Sequence, residues 1–84
     1  MPRYQLVISH RFRRDLRRLD AEIHRRVLEA LERLQDNPRQ GSALTDVTIG
    51  VWRLRVGDYR IRYDIAGDQV LLYRVRHRRE IYRD

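Results

Sequence analysis

Cysteine is absent from this 84-residue chain. Disulfides and thiolate metal centres are therefore excluded, and a reducing cytoplasm is the expected compartment. No apolar run resembles a signal-peptide core or approaches membrane-spanning length, so the sequence predicts a soluble protein with no membrane partner. The three histidines lack metal-ligand spacing, there is no Gly-rich phosphate loop, and no Ser/His/Asp arrangement is suggested. Neither a metal nor an organic cofactor is expected. Lysine is also missing: all 19 basic residues are arginine, against 12 acids, which leaves a net charge of +7.

That balance favours nucleic acid or an acidic protein as partner. Arginine's planar fork matches phosphate bidentately, where lysine offers only a point charge. A GC-rich coding bias accounts for arginine in general. It does not account for where six of them fall. Arg53, Arg55, Arg60, Arg62, Arg74 and Arg76 alternate with Trp52, Leu54, Tyr59, Ile61, Tyr63, Tyr73 and Val75. Strands send successive side chains to opposite faces, so the pattern predicts one apolar face and one guanidinium face. Like charges opposite one another destabilise a sheet. A chain that keeps such a cluster has a use for it, and holding a polyanion is the expected one.

The rest of the chain reads as one domain, residues 1–84, without repeats or linkers. Arg3 to Ile8 is a first strand. Ser9 then stands at a helix N-cap, followed by Phe12, Leu16 and Leu19 on one apolar stripe. Asp20 caps a second, longer helix with Ile23, Val27, Ala30, Leu31 and Leu34 inward and Glu22–Arg26 and Glu29–Arg33 pairs outward. Asn37-Pro38 ends it, because the residue before proline resists helical geometry. Residues 37–50 are a connecting loop. Three strands follow: Val51 to Val56, Tyr59 to Ile65 and Gln69 to Arg76.

With Gly57-Asp58 as a two-residue hairpin turn, Arg55 faces Arg60, Arg53 faces Arg62 and Trp52 faces Tyr63. In the next hairpin a two-residue Gly67-Asp68 turn would set Ile61 against Arg74 and mix the faces. A three-residue Ala66–Asp68 loop sets Ile61 against Tyr73 and Arg60 against Arg74, which keeps the core dry. The expected architecture is α+β, in the order β-α-α-β-β-β: an antiparallel sheet covered on its apolar face by a two-helix hairpin, with the arginine face open.

The string VWRLRVGDYRIRYDI, the apolar strand after it and the ending VRHRREIYR resemble the RelE/ParE superfamily of bacterial type II toxins. The order of elements matches as well, so the resemblance spans nearly the whole chain. It implies a cognate acidic antitoxin. RelE-like members cleave mRNA in the ribosomal A site without metal, whereas ParE-like members poison DNA gyrase. A homologue that has lost activity and only binds antitoxin is a third possibility.

By resemblance, Arg60 falls on the arginine that stabilises the scissile phosphate, and Arg53 on a phosphate-binding lysine position. Val51 departs from the pattern, where a second basic residue is expected. Arg78 aligns with a tail arginine tied to leaving-group chemistry. Tyr82 aligns with the tail tyrosine proposed as general base, across a shortened tail. Tyrosine is a weak base at its ordinary pKa of about 10, and neighbouring guanidinium groups lower that value. His77 is the alternative base, although strand parity puts it on the apolar side. Arg55, Arg62, Arg74, Arg76 and His77 complete the expected RNA-binding set. The function read at this level is a translation-arresting endoribonuclease toxin acting on ribosome-bound mRNA.

Overall fold

A computed structural model describes residues 3–81. Its elements are β1 (Gln5–Ile8), α1 (His10–Arg17), α2 (Ala21–Asp36), β2 (Ser42–Ala43), β3 (Trp52–Val56), β4 (Tyr59–Ala66), β5 (Gln69–His77) and α3 (Arg78–Ile81), with a single 3-10 turn at Pro38–Gln40. The five strands form one sheet in the order β1-β5-β4-β3-β2. The expected α+β layout is present, with additions. Strand β2 and the 3-10 turn lie inside the segment read as a plain loop, and the tail begins with a helical turn.

Both helix caps form where the sequence places them. Ser9 accepts the Phe12 N–H at 3.1 Å and Asp20 accepts the Ile23 N–H at 3.1 Å, each satisfying an amide that the first turn leaves unpaired. At the far end of α2, Asn37 leaves helical geometry and its side chain caps the 3-10 turn through the Arg39 N–H. On the exposed side of α2 the pairing differs from expectation: Glu29 is taken by Arg25, one turn earlier, rather than by Arg33.

Strand β1 joins the sheet parallel to β5, with Gln5 opposite Gln69 and Ile8 opposite Leu72. The remaining pairs are antiparallel. A parallel neighbour requires a long crossover, and the two helices belong to that crossover. The register of the first hairpin is the one expected, with Trp52 opposite Tyr63, Arg53 opposite Arg62 and Arg55 opposite Arg60. The second hairpin corrects the sequence reading. Its turn is the two-residue Gly67-Asp68, with Ala66 opposite Gln69, and the register shifts between Arg62 and Tyr63. One extra residue in β5, Tyr73, absorbs the mismatch as a β-bulge. Beyond it Ile61 faces Val75, not Tyr73, and Arg60 faces Arg76, not Arg74. The core stays dry by a bulge instead of a longer turn.

The apolar face buries Phe12 from α1, Val27, Ala30, Leu31 and Leu34 from α2, and Val56, Ile61, Tyr63, Val70, Leu72 and Val75 from the sheet. Trp52 packs on Tyr63 with ring centroids 6.3 Å apart. Tyr63 is wholly buried, and its hydroxyl donates to the Pro38 carbonyl at 2.6 Å. The chain passes so close here that a Cβ on Gly41 would sit 2.6 Å from that hydroxyl and 2.5 Å from the Arg53 carbonyl. Burial pushes the Tyr63 phenol up to about 12, against a smaller downward pull from the Gly41 backbone hydrogen bond.

This has a consequence at high pH. Below pH 10 the phenol is protonated in both folded and unfolded chains and contributes no pH dependence. Between about 10 and 12 only the unfolded chain ionises, so stability falls as pH rises through that window. The shift converts to a loss of about 2–3 kcal/mol at 1.36 kcal/mol per unit. Urea titrations from pH 9 to 12 should show this decline, and Tyr63→Phe should remove most of it.

Candidate functional site

Strand parity and the two registers assemble the six arginines into two rungs that cross three strands. Arg53, Arg62 and Arg74 form one; Arg55, Arg60 and Arg76 form the other. Neighbours within a rung have Cα atoms about 4.5–5.5 Å apart, and the rungs are two residues, about 6.7 Å, apart along the strands. All six therefore converge on one face, opposite the core.

Each arginine is held differently. Arg55 is exposed. Arg60, expected as an open surface charge, is only 7% exposed. Its Nη1 donates to the Gly57 and Tyr59 carbonyls at 3.2 and 3.1 Å, and its buried Nε has no hydrogen-bond partner. The central place of β4, between Arg55 and Arg76, closes it in. Among the described residues no carboxylate pairs with it. Arg62 fastens the loop before β3, with Nε on the Gly50 carbonyl at 2.7 Å and Nη2 on the Ile49 carbonyl at 3.3 Å.

Among the described residues, Arg74 and Arg76 are paired with the protein's own acids. Arg74 donates through Nε and Nη2 to the two oxygens of Asp15, at 2.9 and 3.3 Å. Arg76 donates to Glu80 of α3 at 2.9 Å. Arg53 lies half-buried on β3. The third acid of this face, Asp64, accepts the Gly50 and Val51 N–H groups at 3.1 and 2.7 Å. Among the described residues, these six guanidinium groups thus face three carboxylates. The cradle keeps a surplus of positive charge, smaller than parity alone implies, and it continues onto α1, where Arg11, Arg14 and Arg18 line a hollow beside Arg74.

Asp15 was not legible as a site residue. It is the only acid of α1. Helix α1 lies along the part of β5 that extends beyond the end of β1. Ser9 bonds the Leu72 and Tyr73 carbonyls there, and Asp15 takes the Val75 N–H at 3.1 Å. One carboxylate therefore covers an open strand edge and orients Arg74 at once. The clue was its place on the stripe of Phe12, Leu16 and Leu19, where an acid needs a buried partner.

The remaining candidates lie apart from the rungs. His77 sits opposite Tyr59 on the core-side row, its ring edge-on at 5.5 Å. Its Nδ1 accepts the Arg79 N–H at 3.2 Å. Geometry does not bring it to the arginine face. Arg78 opens α3 with its side chain exposed, and its N–H bonds the Asp58 carbonyl at 2.8 Å, tying the tail to the β3–β4 turn beside the second rung. Tyr82 lies outside the described residues. Tyr73, assigned by parity to the apolar face, turns instead towards Arg62 and the Gly50 loop because of its bulge. Burial, and then the nearby Asp64 carboxylate, raise its phenol pKa.

Comparison with known proteins places this geometry in a family. Residues 6–82 match the family model described as the ParE toxin of the type II toxin-antitoxin system parDE. Toxin RelE3 of Methanocaldococcus jannaschii is 28% identical, over 93% of this chain and 94% of that protein. The toxin-antitoxin complex RelBE2 of Mycobacterium tuberculosis contains a chain 32% identical, with a TM-score of 0.81 over 92% of this chain and 99% of that one. The isolated E. coli RelE toxin has the same fold at 19% identity, with a TM-score of 0.75 over 94% of this chain and 90% of that one. With its two helices, arginine-lined sheet and helical tail, this chain belongs to the RelE/ParE superfamily of type II toxin-antitoxin toxins.

Proposed function

We propose that this toxin is an endoribonuclease that cuts mRNA on the translating ribosome and needs no metal to do so. The observation that carries the reading is the pair of three-arginine rungs converging on one rigid sheet face. Cleavage through the 2′-hydroxyl needs a base for that proton, cations for the charge growing on phosphorus, and support for the departing 5′-oxygen. Guanidinium groups fixed on strands meet the second need without reorganising during the reaction. Arg60 is the central one, flanked by Arg55, with Arg53 on the neighbouring rung. Its carbonyl bonds from the β3–β4 turn fix its direction, and no carboxylate among the described residues offsets its charge.

Arg78, beside that turn, gives electrostatic support to the leaving oxygen. Tyr82 serves as the base, a role in which nearby guanidinium groups would favour the phenolate. The cellular partners are the ribosome with its message and an acidic antitoxin. The setting is the cytoplasm; no described helix is long and apolar enough to cross a membrane.

One observation favours a second reading. The matching family model is that of ParE, and ParE-like toxins act on gyrase without cutting RNA. Primer extension on a translated message after brief expression separates the two. In-frame cuts that vanish when the start codon is removed support the nuclease. Intact message with gyrase-linked DNA breaks supports the other.

A further inference from the structure

The bulge at Tyr73 opens a cavity of about 340 Å³ at the end of the first arginine rung. Its wall on one side is the Ile49-Gly50 loop, and on the other the start of α1 with Arg11. Tyr73, Arg62 and Arg74 line it from the sheet. Most of its surface is apolar, although Arg11, Arg62 and Arg74 line it.

The cavity is braced from several directions. Arg62 grips the loop's carbonyls while Asp64 grips its amides. Gly50 makes the close turn possible at a φ of 66°, a conformation that suits glycine. Tyr73 lies against Gly50 and Arg62, and Arg74 is anchored by Asp15. Ile49, 66% exposed, projects at the mouth. An apolar side chain displayed there, against an aromatic ring and between cations, makes a stacking slot with charge at its rim.

We infer that this cavity is a nucleobase socket: it takes one unpaired base of an RNA strand against Tyr73, while the adjoining phosphate lies on Arg62 and Arg74. The inference rests on the RNA reading above and adds to it a contact that holds the strand beside the cleavage position. A flat base suits the slot because every base has a π-face, so stacking is tolerant of sequence. The charge of the rim matches the phosphate that a base brings with it, which a purely apolar occupant does not.

The test is equilibrium binding of the intact toxin to an uncleavable 2′-O-methyl triribonucleotide with 2-aminopurine at its centre. Stacking should quench the fluorophore. The same oligonucleotide with an abasic centre, followed by anisotropy of an end label, should bind about 5- to 150-fold more weakly. Tyr73→Phe should keep the quenching, and Tyr73→Leu should lose it together with most of the affinity difference. Ile49→Asp, at an exposed position that folding does not need, should weaken binding by repelling the phosphate even if Tyr73→Leu folds poorly. Equal binding of intact and abasic oligonucleotides, or unchanged affinity in Tyr73→Leu and Ile49→Asp, overturns the inference and leaves the cavity to an apolar side chain of a protein partner. The readout does not depend on cleavage. Quenching without in-frame cuts would remove the nuclease reading alone; in-frame cuts with no preference over the abasic strand would remove the socket alone.

Discussion

Arg60→Met should abolish toxicity and leave the protein as stable as before, or more so. Removing a single pre-placed charge donor from a catalytic site typically costs about 10²–10³ in rate. Primer extension on translated message should show cleavage reduced by at least that factor, and growth arrest should disappear. The stability half of the expectation follows from the surroundings of Arg60. The side chain is 7% exposed, its Nε is unsatisfied, and its cross-strand neighbours are Arg55 and Arg76. Burying a cation without a carboxylate opposes folding, and replacing such a group with an apolar one of similar volume is often neutral or stabilising. On the proposed function, Arg60 is kept at the expense of the fold for its action on substrate. Urea denaturation decides between this and a structural role. A drop of more than about 2 kcal/mol in Arg60→Met would show the arginine to be a packing element. Full growth arrest by that variant would remove it from the site.

Asp15→Ala should act in the opposite sense, costing about 3–5 kcal/mol of stability, as expected when one partner of a buried pair is removed. Asp15 is 7% exposed and makes three hydrogen bonds, two to Arg74 and one to the Val75 N–H. Its loss leaves a partly buried guanidinium and an uncovered strand amide. A domain of this size has a total stability of roughly 4–12 kcal/mol, so the variant should lose a quarter of it or more. Asp15→Asn keeps an acceptor for Val75 and should lose less. Asp15→Leu combined with Arg74→Leu should recover part of the loss, because the uncompensated charge goes too. If Asp15→Ala melts like the parent protein, the pair is no more than a surface contact.

These two residues mark what the sequence conveys and what it withholds. Local chemistry was readable: Ser9 and Asp20 as caps, Asn37-Pro38 as a stop, and Gly57-Asp58 as the turn that fixes the first hairpin. Each depends on neighbours a few positions away. Arginine parity was readable too, because strand alternation is a local rule. The bulge at Tyr73 was not. A longer turn and a bulge both keep Ile61 and Val75 in the core, and only the three-dimensional sheet chooses between them. Asp15 and Arg74 are 59 residues apart in sequence, so their meeting depends on where α1 lands on β5. The burial of Arg60 likewise comes from the assembled face, not from the residues beside it.

The order of the strands has a consequence for the cell that makes this protein. Strand β5 lies between β1 and β4, and it carries the third member of each arginine rung. Neither the sheet nor the cradle can close until residue 77 has left the ribosome, however early the helices form. Pairing the first strand with the last also makes the closing step a long-range one, which slows it. A nascent chain therefore lacks the assembled arginine face until β5 has emerged, and a binding partner already present can meet it before those side chains come together.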